Sequence, residues 1–247
     1  MPIKICLRIF FPLAVMMVPM AYAGLITASS PGALPGSAQD LTGLSPTEIT
    51  GSIPDTTDPL LGVNMFAIDI VDFASFSAIT VGSPFGITDT ELFLFDSTGR
   101  GVYANDDIDG GNTLSCLPSQ VDNPCSSSQP PGVGPAADGI YYLAISRSSN
   151  MPLSASGEIF TILNSTDVVG PDTTMGGKDP IINWDGGAFT SPDTDLVNYD
   201  ILLTGTVPAT VPEPSTWPVI GVGGVLLVLR RRKIRASSVT ASFRPAA

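Results

Sequence analysis

The chain has 247 residues, with 23 acidic against 11 basic side chains, no histidine and a sequence pI near 4.1. Between Gly24 and Leu229 only Arg100, Arg147 and Lys178 are basic while every acidic residue falls there, so the body carries about −20 and the positive charge sits at the two ends. Such a field repels nucleic-acid phosphates and attracts divalent cations, and the lack of histidine excludes Ser-His-Asp, Cys-His and histidine-metal hydrolases.

The first segment, "MPIKICLRIFFPLAVMMVPMAYAG", has three zones. Lys4 and Arg8 form a positive front, Ile9 to Val18 is apolar, and Ala21-Tyr22-Ala23 fits an A-x-A cleavage site. That pattern predicts a secretory leader over residues 1–23, cut by signal peptidase between Ala23 and Gly24. An uncleaved anchor is the alternative, against which the apolar zone is short.

Residues 24–47 are rich in Ser, Thr, Pro and Gly and read as a flexible lead-in, with "EITGSI" (Glu48 to Ile53) a candidate edge strand. Short apolar or alternating runs follow, punctuated by Gly, Pro, Asn and Asp. They are "MFAIDIV" from Met65, "SFSAITV" from Ser75, "ELFLFD" from Glu91, "GVYA" from Gly101, "IYYLAIS" from Ile140, "GEIFTIL" from Gly157 and "NYDILLTGT" from Asn198. No stretch of the body has helical periodicity, and β-branched and aromatic residues dominate the runs. The expected fold is all-β, an antiparallel β-sandwich or jelly roll over residues 48–206. "ELFLFD" and "IYYLAIS" are apolar on both faces and should be central strands.

The stretch "TDTELFLFDSTGRGVYANDDIDGGN", with "AADGIYYLAIS" and "NYDILLTG" after it, resembles the bacterial pre-peptidase C-terminal domain. The likeness runs from about Pro31 to Thr206 and is strongest between Thr88 and Ser146. It implies a β-sandwich used as an accessory or binding module on a secreted protein, and relatives of that family sometimes hold calcium in this region. The chain departs from the pattern in its cysteine loop and in a long insertion between Leu163 and Asn198.

"NDDIDGGN" is the densest carboxylate run. Asn105, Asp107, Asp109 and Gly110 match the opening of a calcium loop, but the twelfth place, where an EF-hand needs a bidentate Glu, holds Cys116. Calcium remains the expected cofactor if the loop binds one, with Asp89, Asp96 and Asp106 as further oxygen ligands. The other reading is a solvated turn in which Asn, Asp and Gly satisfy backbone geometry. Just beyond it, Cys116 and Cys125 flank "CLPSQVDNPC"; after export this pair should oxidise to a disulfide, Cys6 having left with the leader. "INWDGG" from Ile182 sets Trp184 beside a carboxylate, as sugar sites do, or else buries the indole under a loop. G-x-S-x-G, C-x-x-C, S-x-x-K and a phosphate-binding Gly loop are all missing from the sequence.

The close of the chain is "VPEPSTWPVIGVGGVLLVLRRRKIR". Prolines make residues 207–216 an extended linker. Trp217 sits where an interfacial aromatic belongs, and Pro218 to Leu229 would rise only about 18 Å as a helix against a hydrocarbon core of roughly 30 Å. Arg230, Arg231, Arg232 and Lys233 should stay cytoplasmic, with residues 236–247 as a cytoplasmic tail. Pro-Glu-Pro, short apolar helix and arginine cluster together resemble the PEP-CTERM sorting signal of Gram-negative bacteria. That resemblance implies an inner-membrane intermediate held by residues 217–235, recognition by an exosortase near Pro212, Glu213 and Pro214, and release to the cell surface or extracellular matrix. Taken together, the sequence predicts an exported, non-enzymatic β-sandwich protein with a leader helix and a short C-terminal transmembrane helix, which adheres to matrix polysaccharide or builds the matrix. A secreted carboxylate-dependent glycan hydrolase is the rival, and an ice-binding surface would need a flat face of regularly spaced Thr, a repeat the sequence lacks.

Overall fold

A computed structural model describes residues 24–54, 58–82, 89–121, 123–125, 130, 132–187 and 196–207. The chain divides into two units, Met1–Pro208 and Ala209–Ala247, and all described residues belong to the first. The leader, the Pro-Glu-Pro linker, the expected transmembrane helix and the arginine cluster lie outside the described residues.

In chain order the strands are β1 (Gly24–Thr27), β2 (Gln39–Asp40), β3 (Pro46–Pro54), β4 (Val63–Ile70), β5 (Ser77–Val81), β6 (Thr90–Asp96) and β7 (Gly101–Asn105). They continue as β8 (Cys116–Leu117), β9 (Gly139–Arg147), β10 (Pro152–Ser154), β11 (Gly157–Glu158), β12 (Ile181–Trp184) and β13 (Leu196–Thr204). Two five-stranded sheets, β1-β3-β13-β5-β8 and β2-β4-β9-β6-β7, form the sandwich, and a small sheet β11-β10-β12 forms a third layer. Most pairings are antiparallel, but β1 with β3 and β2 with β4 are parallel.

Side-chain parity sets the layers. In β13, Tyr199, Ile201 and Leu203 are buried while Asn198, Leu202 and Thr204 are exposed, the period-2 pattern of a sheet with one solvated face. In β6, every residue from Glu91 to Phe95 is buried. Leu92 and Leu94 join Ile68, Leu143 and Ile201 between the two large sheets. Phe93 and Phe95 point the other way, into a second core with Ile159, Phe160, Ile181 and Trp184. Ring centroids of Phe93 and Trp184 lie 5.2 Å apart in an edge-on arrangement, and Phe93 and Phe160 lie 5.7 Å apart. Such pairs add about 0.5–1.5 kcal/mol each beyond area burial.

Three details differ from the sequence reading. Residues 24–47, expected as a flexible lead-in, supply β1 and β2 and are fastened: Gln39 Oε1 accepts the Ser29 N–H at 2.9 Å, and the Gly32 carbonyl accepts the Met65 N–H at 2.8 Å. Glu48 to Ile53 is consequently an interior strand, covered on its outer side by β1. "GEIFTIL" is strand only over Gly157–Glu158, because Ile159 and Phe160 turn into the second core and the chain beyond them forms only a bridge, Phe160 to Pro171.

Candidate metal centre

Sheet register brings the acidic residues together. Leu92 lies opposite Asn105 across the β6–β7 pair, so residues 89–91 at the start of β6 face residues 106–107 just after β7. On the other side of β6, Ser146 and Arg147 at the end of β9 pair with Glu91 and Thr90. One corner of the sheet thus holds Asp89, Glu91, Asp106, Asp107 and the turn through Ser148 and Ser149.

One carboxylate oxygen from each of Asp89, Asp106 and Asp107 can be chosen so that all three lie within 4.8 Å of one another. Asp89 is exposed, the other two half-buried. Burial pushes the Asp106 carboxyl up to about 6; a hydrogen bond with Ser148 opposes this, and the like charges of Asp107 and Asp89 add to it. Asp89 is raised in the same way by burial and by Asp107, against the pull of the Arg147 guanidinium and Ser148.

Glu91 is the residue that sequence reasoning passed over. It is 1% exposed, and Oε2 has no hydrogen-bond partner. The backbone N–H of Ser149, a residue held at φ +71°, donates to the same carboxyl. Burial above all, then the neighbouring Asp106, pushes Glu91 well above the ordinary carboxylate range, with Asp185 and Asp89 adding to the effect. Asp106 Oδ1 is likewise buried without a partner. A single Glu within the otherwise apolar "ELFLF" was the available signal, since a buried strand does not carry a carboxyl without a counterpart.

The other three expected ligands are elsewhere. Asp96 closes the β6–β7 turn at the far end of the strand, where Oδ1 accepts the Thr98 N–H at 2.8 Å and the Thr98 hydroxyl at 2.7 Å. Asn105 is fully buried and spends both ends of its amide on the fold: Oδ1 accepts the Cys116 N–H at 2.8 Å, and Nδ2 donates to the carbonyls of Asp107 and Asp167. Asp109 stabilises its own turn by accepting the Gly111 N–H at 2.8 Å. Cys116 and Cys125 are joined by a disulfide, Cα atoms 5.9 Å apart. Trp184 is 1% exposed and packed, so of its two readings the buried one holds.

The corner presents carboxylate oxygens alone, a ligand type that suits hard cations. The comparison with known families speaks to a different part of the chain: residues 210–233 match the PEP-CTERM protein-sorting motif. The motif marks an exosortase-sorted protein, secreted to the surface or exterior of Gram-negative bacteria. No curated protein matches the chain.

Proposed function

We propose that this is a non-catalytic component of the cell surface or extracellular matrix, which adheres to matrix polysaccharide through its β-sandwich body after the sorting signal is removed. The observation that carries the reading is the PEP-CTERM motif at residues 210–233. A leader over residues 1–23 would deliver the body across the inner membrane, and the short apolar stretch from Trp217 would hold it there until an exosortase acts near Pro212, Glu213 and Pro214. The resemblance of residues 31–206 to the pre-peptidase C-terminal domain supports an accessory or binding role.

Mass spectrometry of the mature protein from the producing cells tests the sorting step. The expected C-terminus lies next to Pro212-Glu213-Pro214, and a mature chain still carrying Trp217 would overturn it. Retention of the purified protein on the cells' own exopolysaccharide tests adhesion.

A further inference from the structure

We propose that the groove on the outer face of β5 and β13, walled by the disulfide-closed segment that starts at β8, binds neutral sugar residues carrying methyl groups, either 6-deoxy or O-acetylated. The site would serve the adhesion to matrix polysaccharide proposed above, and its assignment rests on that reading.

Strand parity builds the floor. Ile201 and Leu203 of β13 point into the core, so Leu202 and Thr204 face outward, and register sets them opposite Ile79 and Ser77 of β5. The wall is the segment between Cys116 and Cys125, whose Ser119, Val121 and Pro124 reach the groove. That wall is fixed in advance. The disulfide closes the segment, and the Gln120 and Val121 N–H groups both donate to the Ala74 carbonyl, at 3.0 and 3.3 Å. The groove holds about 410 Å³, within the roughly 300–1,000 Å³ of small-molecule sites, and a preformed wall spares the cost of ordering it on binding.

The lining selects the ligand. Among the described residues that line the groove none is charged or aromatic, and Ser and Thr alternate with aliphatic side chains. Thr204 donates its one hydroxyl proton to the Ser75 carbonyl. Ser77, whose Oγ lies 2.9 Å from Thr204 Oγ1, must therefore donate to Thr204, and keeps its own lone pairs for an incoming O–H. Leu202 and Val121, 42% and 69% exposed, set apolar surface beside that acceptor. A sugar hydroxyl on Ser77 with a methyl or acetyl group over Leu202, Ile79 and Val121 satisfies both. With no aromatic platform for a sugar ring to stack on, burial of methyl groups is the apolar gain this lining offers. Uronic acids are disfavoured, because no cation lines the groove and the body carries about −20. An extended peptide finds little ladder to join, since β8 at the rim is two residues long.

The test titrates the processed protein from producing cells calorimetrically with the methyl glycosides of L-rhamnose, of L-mannose (its 6-hydroxylated parent) and of galacturonic acid. Binding is expected for the rhamnoside, weaker for the mannoside and absent for the galacturonide. Leu202→Asp and Val121→Asp, both at exposed positions, should each weaken rhamnoside binding by about tenfold or more, since either buries a carboxylate against the ligand. Leu25→Asp, exposed on the same sheet but outside the groove, should leave it unchanged. Far-ultraviolet circular dichroism checks that each variant is folded, and either groove variant carries the test if the other does not fold. Rhamnoside binding that survives both groove variants would overturn the site, as would no binding of any glycoside at millimolar concentration. Equal binding of the mannoside or the galacturonide would overturn the assigned sugar class. Retention on the cells' own exopolysaccharide separates the two readings. Retention that the groove variants do not change leaves adhesion standing and overturns the groove as its site, whereas rhamnoside binding in the groove without retention overturns adhesion and leaves the site.

Discussion

Trp184 donates its indole N–H to the carbonyl of Ala33 at 2.8 Å, joining residues 151 positions apart. The bond ties β12, in the third layer, to the N-terminal segment, and both residues sit in the second core beside Phe93 and Phe95. Trp184→Phe should keep most of the packing but leave the Ala33 carbonyl without its donor, costing about 1–2 kcal/mol. Trp184→Ala should cost about 3–5 kcal/mol by opening a cavity. Urea unfolding of both variants checks the ranking; a loss near zero for Trp184→Phe would mean that the hydrogen bond contributes nothing.

Gly51 and Tyr199 form a second coupled pair, between β3 and β13. A Cβ on Gly51 would run first into the Tyr199 hydroxyl, which also accepts the Asn64 side-chain N–H at 2.8 Å. Gly51→Ala should therefore destabilise the sandwich, and Tyr199→Phe should cost about 1 kcal/mol by removing that acceptor. Losing the hydroxyl relieves part of the clash, so the double variant should be less destabilised than the sum of the two singles. A double-mutant cycle measures this directly.

Reduction of Cys116–Cys125 should lower the melting temperature without unfolding the body. The bridge spans nine positions, and a loop of that size contributes on the order of 2–3 kcal/mol by chain-entropy arguments. The segment keeps other anchors, including the Gln120 N–H to the Ala74 carbonyl at 3.0 Å. Calorimetry with and without a reductant reads the difference.

The acidic corner predicts an unusual pH response. Asp106 takes up a proton near 6 in the folded protein, against an ordinary value of 3.8, and Asp89 and Glu91 shift in the same direction. Across that window the folded state binds more protons than the unfolded one, so stability should rise as pH falls from about 6 to about 4 and be lost again as it climbs. Asp40 and Asp172 act oppositely, held low by hydrogen bonds from Thr42 and Thr174, and their contribution is lost only at more acid pH. Urea midpoints at about pH 5 and pH 7 decide it.

Much of the sandwich was legible because its long strands carry their own pattern. Alternation marked β13, and continuous apolar runs marked β6 and β9 as interior strands, which is where they lie. The short strands β1, β2, β8, β10 and β12 were not legible, since two to four residues leave no period to detect and their pairing is set by the sheet they dock on. The third layer was hidden for the same reason, although the second apolar face of "ELFLFD" announced that something must cover it. At the acidic corner, sequence proximity misled: Asn105, Asp107 and Asp109 looked like one loop's ligands, yet Asn105 and Asp109 serve the backbone. Register across strands, which a linear pattern does not display, brings Glu91 to the same corner as the expected Asp89 and Asp106.

The placement of β13 has a mechanical consequence. Among the described residues it is the last strand before the sorting segment, and it lies inside its sheet, bonded to β3 along one edge and to β5 along the other. Just past its end the Thr206 hydroxyl donates to the Pro46 carbonyl at 2.6 Å. Tension applied through the C-terminus therefore loads two hydrogen-bond ladders in parallel, and the body should give way only at forces that shear both together, where an edge strand would peel off bond by bond.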